Sequence, residues 1–323
     1  MHESSADLAR SITWKGSKQT YITGRMVIDR DLADDFFRAY AYFRWADDVI
    51  DTSSNSDEER IAFIKQQREL IDKLYNNERP NDLTPEEDIL ADLISHDRSE
   101  DSGLHSFIRN MFAIIEFDAY RKGWSIGREE LEWYSNCLSK SVTDGIQYFI
   151  GNGYLYPDGD NRYSAATGAH IAHLLRDTVQ DTADGFINIP AEYLEMHDLK
   201  SENLDSPPYR AWVRSRVEQA RLNMQDGKRY LDELDVLRCK IAGYWYCTRF
   251  EGVLDTIERE DYRLRSHYNE RGKLATWLKV GWLAVTITVR HVTRRTAHRD
   301  PSRRDPSHRD PSRRDHRHRN LEK

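Results

Sequence analysis

The sequence predicts an all-α fold, and three observations carry the prediction. Hydrophobic residues make up 38% and charged residues 32% of the 323, a balance suited to a helical protein with a substantial core rather than to a disordered chain. Only nine prolines occur, and long stretches hold no turn residue. No segment shows the convincing alternation of a half-buried strand. Length alone allows one large domain or two small ones. The same aromatic-rich helical pattern runs to about residue 290, which favours a single domain over residues 1–290.

The first informative helix is AYAYFRWADDVID, Ala39 to Asp51, built from aromatics and alanines. Ser56 followed by Asp57, Glu58 and Glu59 reads as an N-cap with an acidic first turn. It opens a periodic run through Ile61, Ile64, Ile71 and Leu74. Thr84-Pro85-Glu86-Glu87 is a second start, with proline at the first helical position, where its missing N–H costs nothing. Further helices are expected over 103–121, 128–150, 162–183, 207–234, 236–265 and 271–290. The stretch GNGYLYPDGDNRYS after Ile150 is rich in Gly, Asn and Asp and reads as a loop between two long helices.

The segment Lys273 to Arg290 is apolar at most positions but interrupted by Lys279. With about 16 residues between flanking charges it falls short of the ~20 that a spanning helix needs. It reads as a packed terminal helix, with peripheral association at a membrane surface through 273–290 as the alternative. The run HRDPSRRDPSHRDPSRRDHRHRN repeats a five-residue RDPSR/H unit without apolar positions, and residues 291–323 are expected to form a basic, disordered tail.

The net charge of −7 conceals a division. From Arg290 onward there are 12 Lys and Arg against 5 acids, which leaves 36 basic against 50 acidic residues before it, a charge of −14. A body so acidic would not attract nucleic acid. Three cysteines without a CxxC pair indicate neither a disulfide framework nor a zinc site. The first residues have no apolar signal region. The expected location is the cytoplasm.

Two stripes of carboxylates carry the chemistry. In the first, Asp47 and Asp51 lie one turn apart on one helical face, with Arg44 a turn earlier and Asp48 beside them. Acids this close among apolar residues are expensive to bury without a cation. Mg²⁺ suits such a pair, since it takes one or two carboxylates together with water and substrate phosphate oxygens. The second stripe lies in ATGAHIAHLLRDTVQDTADG. With His170 at 0°, His173 falls at about −60°, Asp177 at about −20° and Asp181 at about +20°. Ile171, Ala172, Leu174 and Leu175 between them are apolar, so the polar line must face a cavity or a partner. Two such helices facing across a bundle would hold a diphosphate through Mg²⁺ and take up its charge as it departs. The aromatic lining would then shelter an allylic cation from water.

These segments resemble the squalene and phytoene synthases, all-helical class I isoprenoid synthases that join two prenyl diphosphates head to head. The resemblance spans about Ser17 to Leu274. GSKQTY is similar to the family's opening motif, YAYFRWADDVID to its first aspartate motif, and LLRDTVQDTADGFINIP to its second. FDAYRKGWSIGREELEWYSNCLSKSV has the spacing of the helix bearing the family's active-site tyrosine. The resemblance implies a helical bundle around a central cavity, with Asp47, Asp51, Asp177 and Asp181 on Mg²⁺ and Asp48 as a supporting acid. It places Lys18, Arg44 and Arg176 near diphosphate oxygens and Tyr134 facing the reacting carbons. Ion pairs with the aspartates are the ordinary alternative for Lys18 and Arg44, and core packing is that for Tyr134.

The chain also departs from the family. His170 and His173 stand where Gln and Asn are usual, and either imidazole could serve as a base. Lys140 and Asp144 replace small residues, Phe250 stands for a late tyrosine, and His267 for an arginine, with Arg263 and Arg265 nearby. The implied reaction is Mg²⁺-dependent condensation of two farnesyl or geranylgeranyl diphosphates through a cyclopropylcarbinyl diphosphate. A single-substrate terpene cyclase or prenyl diphosphate hydrolase would use the same cage, and a non-catalytic lipid-binding protein could retain it as scaffold. No GxGxxG follows a strand, so an NADPH site is not legible. Neither are substrate length, product and oligomeric state.

Overall fold

Side-chain caps open α-helices after Ser4, Ser17, Ser56, Thr84, Ser102 and Ser206. The computed structural model describes residues 4–52, 56–97, 99, 101–151, 153–268 and 274–299. Among them are twelve helices: α1 (Ser5–Gly16), α2 (Lys18–Val27), α3 (Ala33–Asp51), α4 (Asp57–Tyr75), α5 (Pro85–Ser95), α6 (Gly103–Arg121), α7 (Arg128–Phe149), α8 (Ser164–Ala183), α9 (Ala191–Met196), α10 (Pro207–Glu233), α11 (Leu237–Arg259) and α12 (Leu274–Arg299). Ser56 with Glu59 and Thr84 with Glu87 form complete capping boxes on α4 and α5. Ser102 and Ser206 cap α6 and α10 in the same way from one side. Each side-chain oxygen satisfies an N–H that has no partner in the first helical turn.

The helices expected from sequence are present, with shifts at their ends. α11 stops at Arg259 rather than running to 265, because Asp261 and Tyr262 adopt left-handed backbone with φ of 56° and 60°. α12 continues nine residues past 290 to Arg299, since basic residues suit a helix C-terminus and the first breaker is Pro301. The repeat segment from residue 300 on lies outside the described residues. α1, α2 and α9 were not anticipated. The first two are short, polar and separated by one extended residue, Ser17, whose side chain caps α2.

The core has two halves. α3 packs on α1, α5 and α6, and α8 packs on α7, α10 and α11. α6 and α7 lie against each other and join the halves, with Ile114, Ile126, Leu131 and Tyr134 between them. α8 and α10 approach closely through Gly168 and Gly227. A Cβ on Gly168 would fall 2.6 Å from the Ala220 carbonyl oxygen, and one on Gly227 would strike the Ala165 backbone. The three cysteines are buried and free. No described helix is long and apolar enough to cross a membrane.

Candidate active site

The residues of the first stripe sit on α3, whose opposite face is anchored by buried Ala39, Tyr42, Phe43, Ala46 and Ile50. That anchoring turns Arg44, Asp47, Asp48 and Asp51 outward from the core. Arg44 Nε donates to Asp48 Oδ2 at 3.1 Å, its Nη2 holds the other oxygen, and its Nη1 lies 3.8 Å from Asp47. Asp48 is therefore engaged by Arg44, and Asp47 is not neutralised at close range. The Asp47 side chain is half-buried, with 45% of it exposed. This burial, together with the Asp51 charge one turn on, pushes its carboxyl up to about 7. Burial also raises Asp51, with Asp118 adding to the effect and Lys122 opposing it.

The second stripe on α8 is split in its environment. His170 is 2% exposed, and neither ring nitrogen has a hydrogen-bond partner. Burial holds it well below the usual histidine range, so the ring is neutral. Its ring lies 5.5 Å from that of Tyr134. His173 is half-exposed, with Nε2 2.9 Å from Asp177 Oδ2. Arg176 grips Asp177 with Nε at 2.6 Å and with Nη2. Burial alone would raise Asp177, but the bonds from Arg176 and His173 outweigh it and hold the carboxyl at about 2. Asp181, a turn further, is pushed up to about 7 by burial and by the Asp177 charge.

Between the stripes stands a residue that sequence reasoning missed. Asp118 on α6 accepts from Tyr134 Oη at 2.8 Å and from Arg121 Nε at 2.7 Å. Arg121 Nη2 donates to Asn188 Oδ1 at 2.9 Å, and Asn188 Nδ2 donates to Asp181 Oδ2 at 2.9 Å. The Asp118 charge acts on Asp47 and Asp51 from one side and on Asp181 from the other. The two stripes thus converge on one acid, and Tyr134 is tied to it. Asp118, Arg121 and Asn188 were all within the quoted segments, but an acid and an arginine three apart on a helix also describe an ordinary surface pair.

The backbone explains why the end of α8 meets the end of α6. Gly123 and Gly185, with φ of 90° and 91°, take left-handed turns, which glycine adopts without steric penalty. Gly123 N–H then donates to the Gly185 carbonyl at 2.8 Å, Ile126 to Ile187 at 3.1 Å, and Ala191 to Ile126 at 2.9 Å. The Gly185-to-Pro190 step therefore ties Asp181 and Asn188 to Asp118 and Arg121.

The other residues singled out from the sequence divide. Gly16, beside Lys18, lies against Tyr40 and Arg44, so the GSK segment reaches the rim of the site. Lys18 itself is exposed, 5.4 Å from the centre of the Trp14 ring, and no described carboxylate is within ion-pair distance. Asp144 accepts from Ser106 at 2.6 Å and pairs with Arg162 at 3.0 Å, a structural contact, and Lys140 is exposed. Phe250 is buried, its ring 5.8 Å from that of His173. Arg265 pairs with Glu260, and His267 Nδ1 lies 3.1 Å from Ser266 Oγ.

Among the described residues no three Asp, Glu, His or Cys side chains gather into a closed metal cage. The donors fit magnesium in another way. They are hard carboxylate oxygens; Asp47 has only Arg44 at 3.8 Å and Asp181 has no ion pair among the described residues, and burial pushes both carboxyls up to about 7. An ion that completes its shell with water and phosphate oxygens needs only one or two of them.

Three comparisons bear on this arrangement. The pattern of the family described as squalene/phytoene synthase matches residues 14–277. Curated protein sequences give no significant match. Among solved structures, squalene synthase HpnC from Alicyclobacillus acidocaldarius is 18% identical with a TM-score of 0.63, covering 81% of this chain and 95% of its own. A dehydrosqualene synthase solved with a ligand is 18% identical with a TM-score of 0.66, covering 87% and 95%. These structures share the all-α fold, and the family pattern spans both aspartate stripes and the helix of Tyr134. The chain belongs to the squalene/phytoene synthase family and is a prenyltransferase of that type.

Proposed function

We propose that this enzyme condenses two farnesyl or geranylgeranyl diphosphates through a cyclopropylcarbinyl diphosphate to a squalene-like or phytoene-like product, with Mg²⁺ as cofactor. The observation that carries the reading is the convergence of both aspartate stripes on Asp118. Mg²⁺ held by Asp47, Asp51, Asp177 and Asp181 would supply positive charge to the departing diphosphate. Arg176 and Arg44 orient diphosphate oxygens at the rim, where a guanidinium can hold two at once. Burial and the Asp118 charge raise the Tyr134 phenol well above its ordinary range, so it stays protonated. Its hydroxyl is committed to Asp118, which turns the ring toward His170. That aromatic face stabilises the allylic cation formed as the first diphosphate leaves. The double bond of the second substrate attacks this cation, and a proton is lost as the cyclopropane closes. A ring nitrogen of His170 accepts it, since a carbocation C–H is acidic enough to protonate even a weakly basic imidazole.

The same neutral His170 favours a second reading, a single-substrate cyclase or hydrolase with the histidine as proton acceptor. Incubation with C15 and C20 diphosphates and Mg²⁺, with and without NADPH, separates the two by mass spectrometry. Coupled C30 or C40 products are expected. A monomeric terpene or prenyl alcohol as sole product would contradict obligatory coupling.

The product of coupling is a lipid, and α12 offers a face for a membrane surface. Ile287 and His291 are buried, whereas Trp282, Val285, Val289 and Val292 are 71%, 62%, 56% and 52% exposed. These four fall within an arc of about 80° on a helix. Basic residues follow them in a chain whose body is acidic, which suits an anionic bilayer. Co-sedimentation with anionic vesicles should fall at least tenfold in Trp282→Glu. Unchanged partition would remove α12 from that role.

A further inference from the structure

We propose that Arg249 and Arg176 form a clamp that binds a diphosphate group directly, without a metal ion, on the α8–α11 side of the site. The proposal deepens the prenyl diphosphate reading and rests on it for the identity of the anion. Both guanidiniums lie by the Phe250 ring, Arg176 with its carbon 5.9 Å and Arg249 5.3 Å from the ring centre. Arg176 spends Nε and Nη2 on Asp177, leaving Nη1 unused in that pair. Arg249 has no ion pair among the described residues, and its Nε is buried without a hydrogen-bond partner. By contrast, Arg44, Arg121, Arg162 and Arg221 each face a carboxylate.

The groups within electrostatic reach of Arg249 are Arg176, Tyr246, Asp177 and Tyr40. Two guanidiniums therefore share one carboxylate, and burial together with the Arg176 charge makes the Arg249 cation less favourable than in water. A charge held this way, without compensation, is unfavourable unless a ligand supplies the counter-charge. The matching ligand has several oxygens in fork geometry, which a diphosphate provides. Tyr40 also borders Gly16, so the clamp opens on the same rim as the GSK segment. The arrangement gives the site two unlike halves: acids at Asp47 and Asp181, of which only Asp47 meets a cation, Arg44 at 3.8 Å, and a cation at Arg249 that has no ion pair among the described residues. The acidic half can hold a diphosphate only through a cation, whereas the Arg249 half needs none. Sequence pattern gave no sign of it, because Arg249 lies next to Phe250, where the family's late tyrosine is expected.

The test is calorimetric titration of inorganic diphosphate into the full-length protein in EDTA. Wild type should bind, Arg249→Ala should bind at least tenfold more weakly, and Arg249→Lys should fall between. Arg249→Gln, which keeps the volume, guards against a packing artefact and should match the alanine variant. Melting temperature in EDTA without ligand should be equal or higher in Arg249→Gln, since an unpaired cation is removed, and added diphosphate should raise it only in wild type. No binding by wild type in EDTA, or equal binding by Arg249→Ala and Arg249→Gln to that of wild type, overturns the clamp. Wild type that binds in EDTA through Arg249 but forms no coupled prenyl product keeps the clamp and removes the condensation reading. Coupled product with Arg249-independent binding does the reverse.

Discussion

Replacing Asp47 and Asp181 together by asparagine should abolish turnover while making the metal-free protein more stable above pH 7. The two effects have one cause. In the folded chain both carboxyls titrate at about 7, whereas in the unfolded chain they titrate near 3.9. An acid whose folded value is raised costs the fold nothing below its unfolded value. Its cost grows as pH rises through the window from about 4 to 7 and is complete above it. Asparagine removes that cost, so the melting temperature in EDTA should exceed wild type by a few degrees at pH 8, and the difference should shrink toward pH 4. Partial exposure of both side chains limits the gain. Turnover should fall by roughly a thousandfold or more, since metal-assisted charge stabilisation is worth several kcal/mol and each 1.36 kcal/mol is about tenfold. Thermal melts across pH, set beside steady-state rates, check both. A variant less stable than wild type at pH 8 would mean that burial and the neighbouring acids do not strain these two carboxylates.

The second large effect is structural. Gly227→Ala should destabilise the fold by about 3 kcal/mol, the upper end of ordinary overpacking. Helix propensity alone predicts the opposite, since alanine improves on glycine by about 1 kcal/mol in a helix interior. Packing decides the sign here, because the new Cβ would enter the Ala165 backbone at the start of α8. α8 carries Asp177 and Asp181, so a shift there displaces one stripe relative to Asp118. A displacement near 1 Å can cost about a hundredfold in rate, and activity should fall even below the melting temperature. Denaturant unfolding and rates of the same preparation measure the two consequences. A variant as stable as wild type would show that α8 and α10 do not approach as described.

The parts legible in the sequence were those governed by local rules. Ser56 with Glu59 and Thr84 with Glu87 announce α4 and α5 because a cap and its partner are three residues apart. The aspartate stripes were legible for the same reason, since i and i+4 share a helix face. What escaped depends on non-local contact. Asp118 gains its place only because Gly123 meets Gly185 across 62 residues. Lys18 is near the rim, yet its side chain turns to Trp14. Of the alternative ion pairs for Lys18 and Arg44, that of Arg44 is present, but sequence could not show that Arg44 engages Asp48 and Arg176 engages Asp177 while burial strains Asp47 and Asp181. His170 and His173, one turn apart, looked equivalent until their burial separated them.

The most direct measurement is a crystal structure with Mg²⁺ and an unreactive prenyl thiodiphosphate. The account predicts magnesium bridging the diphosphate to oxygens from both helices, at least one from Asp47 or Asp51 and one from Asp177 or Asp181. Diphosphate bound away from Asp118, or magnesium held by one helix while the other helix's aspartates make no contact with the ligand or its ions, would contradict it.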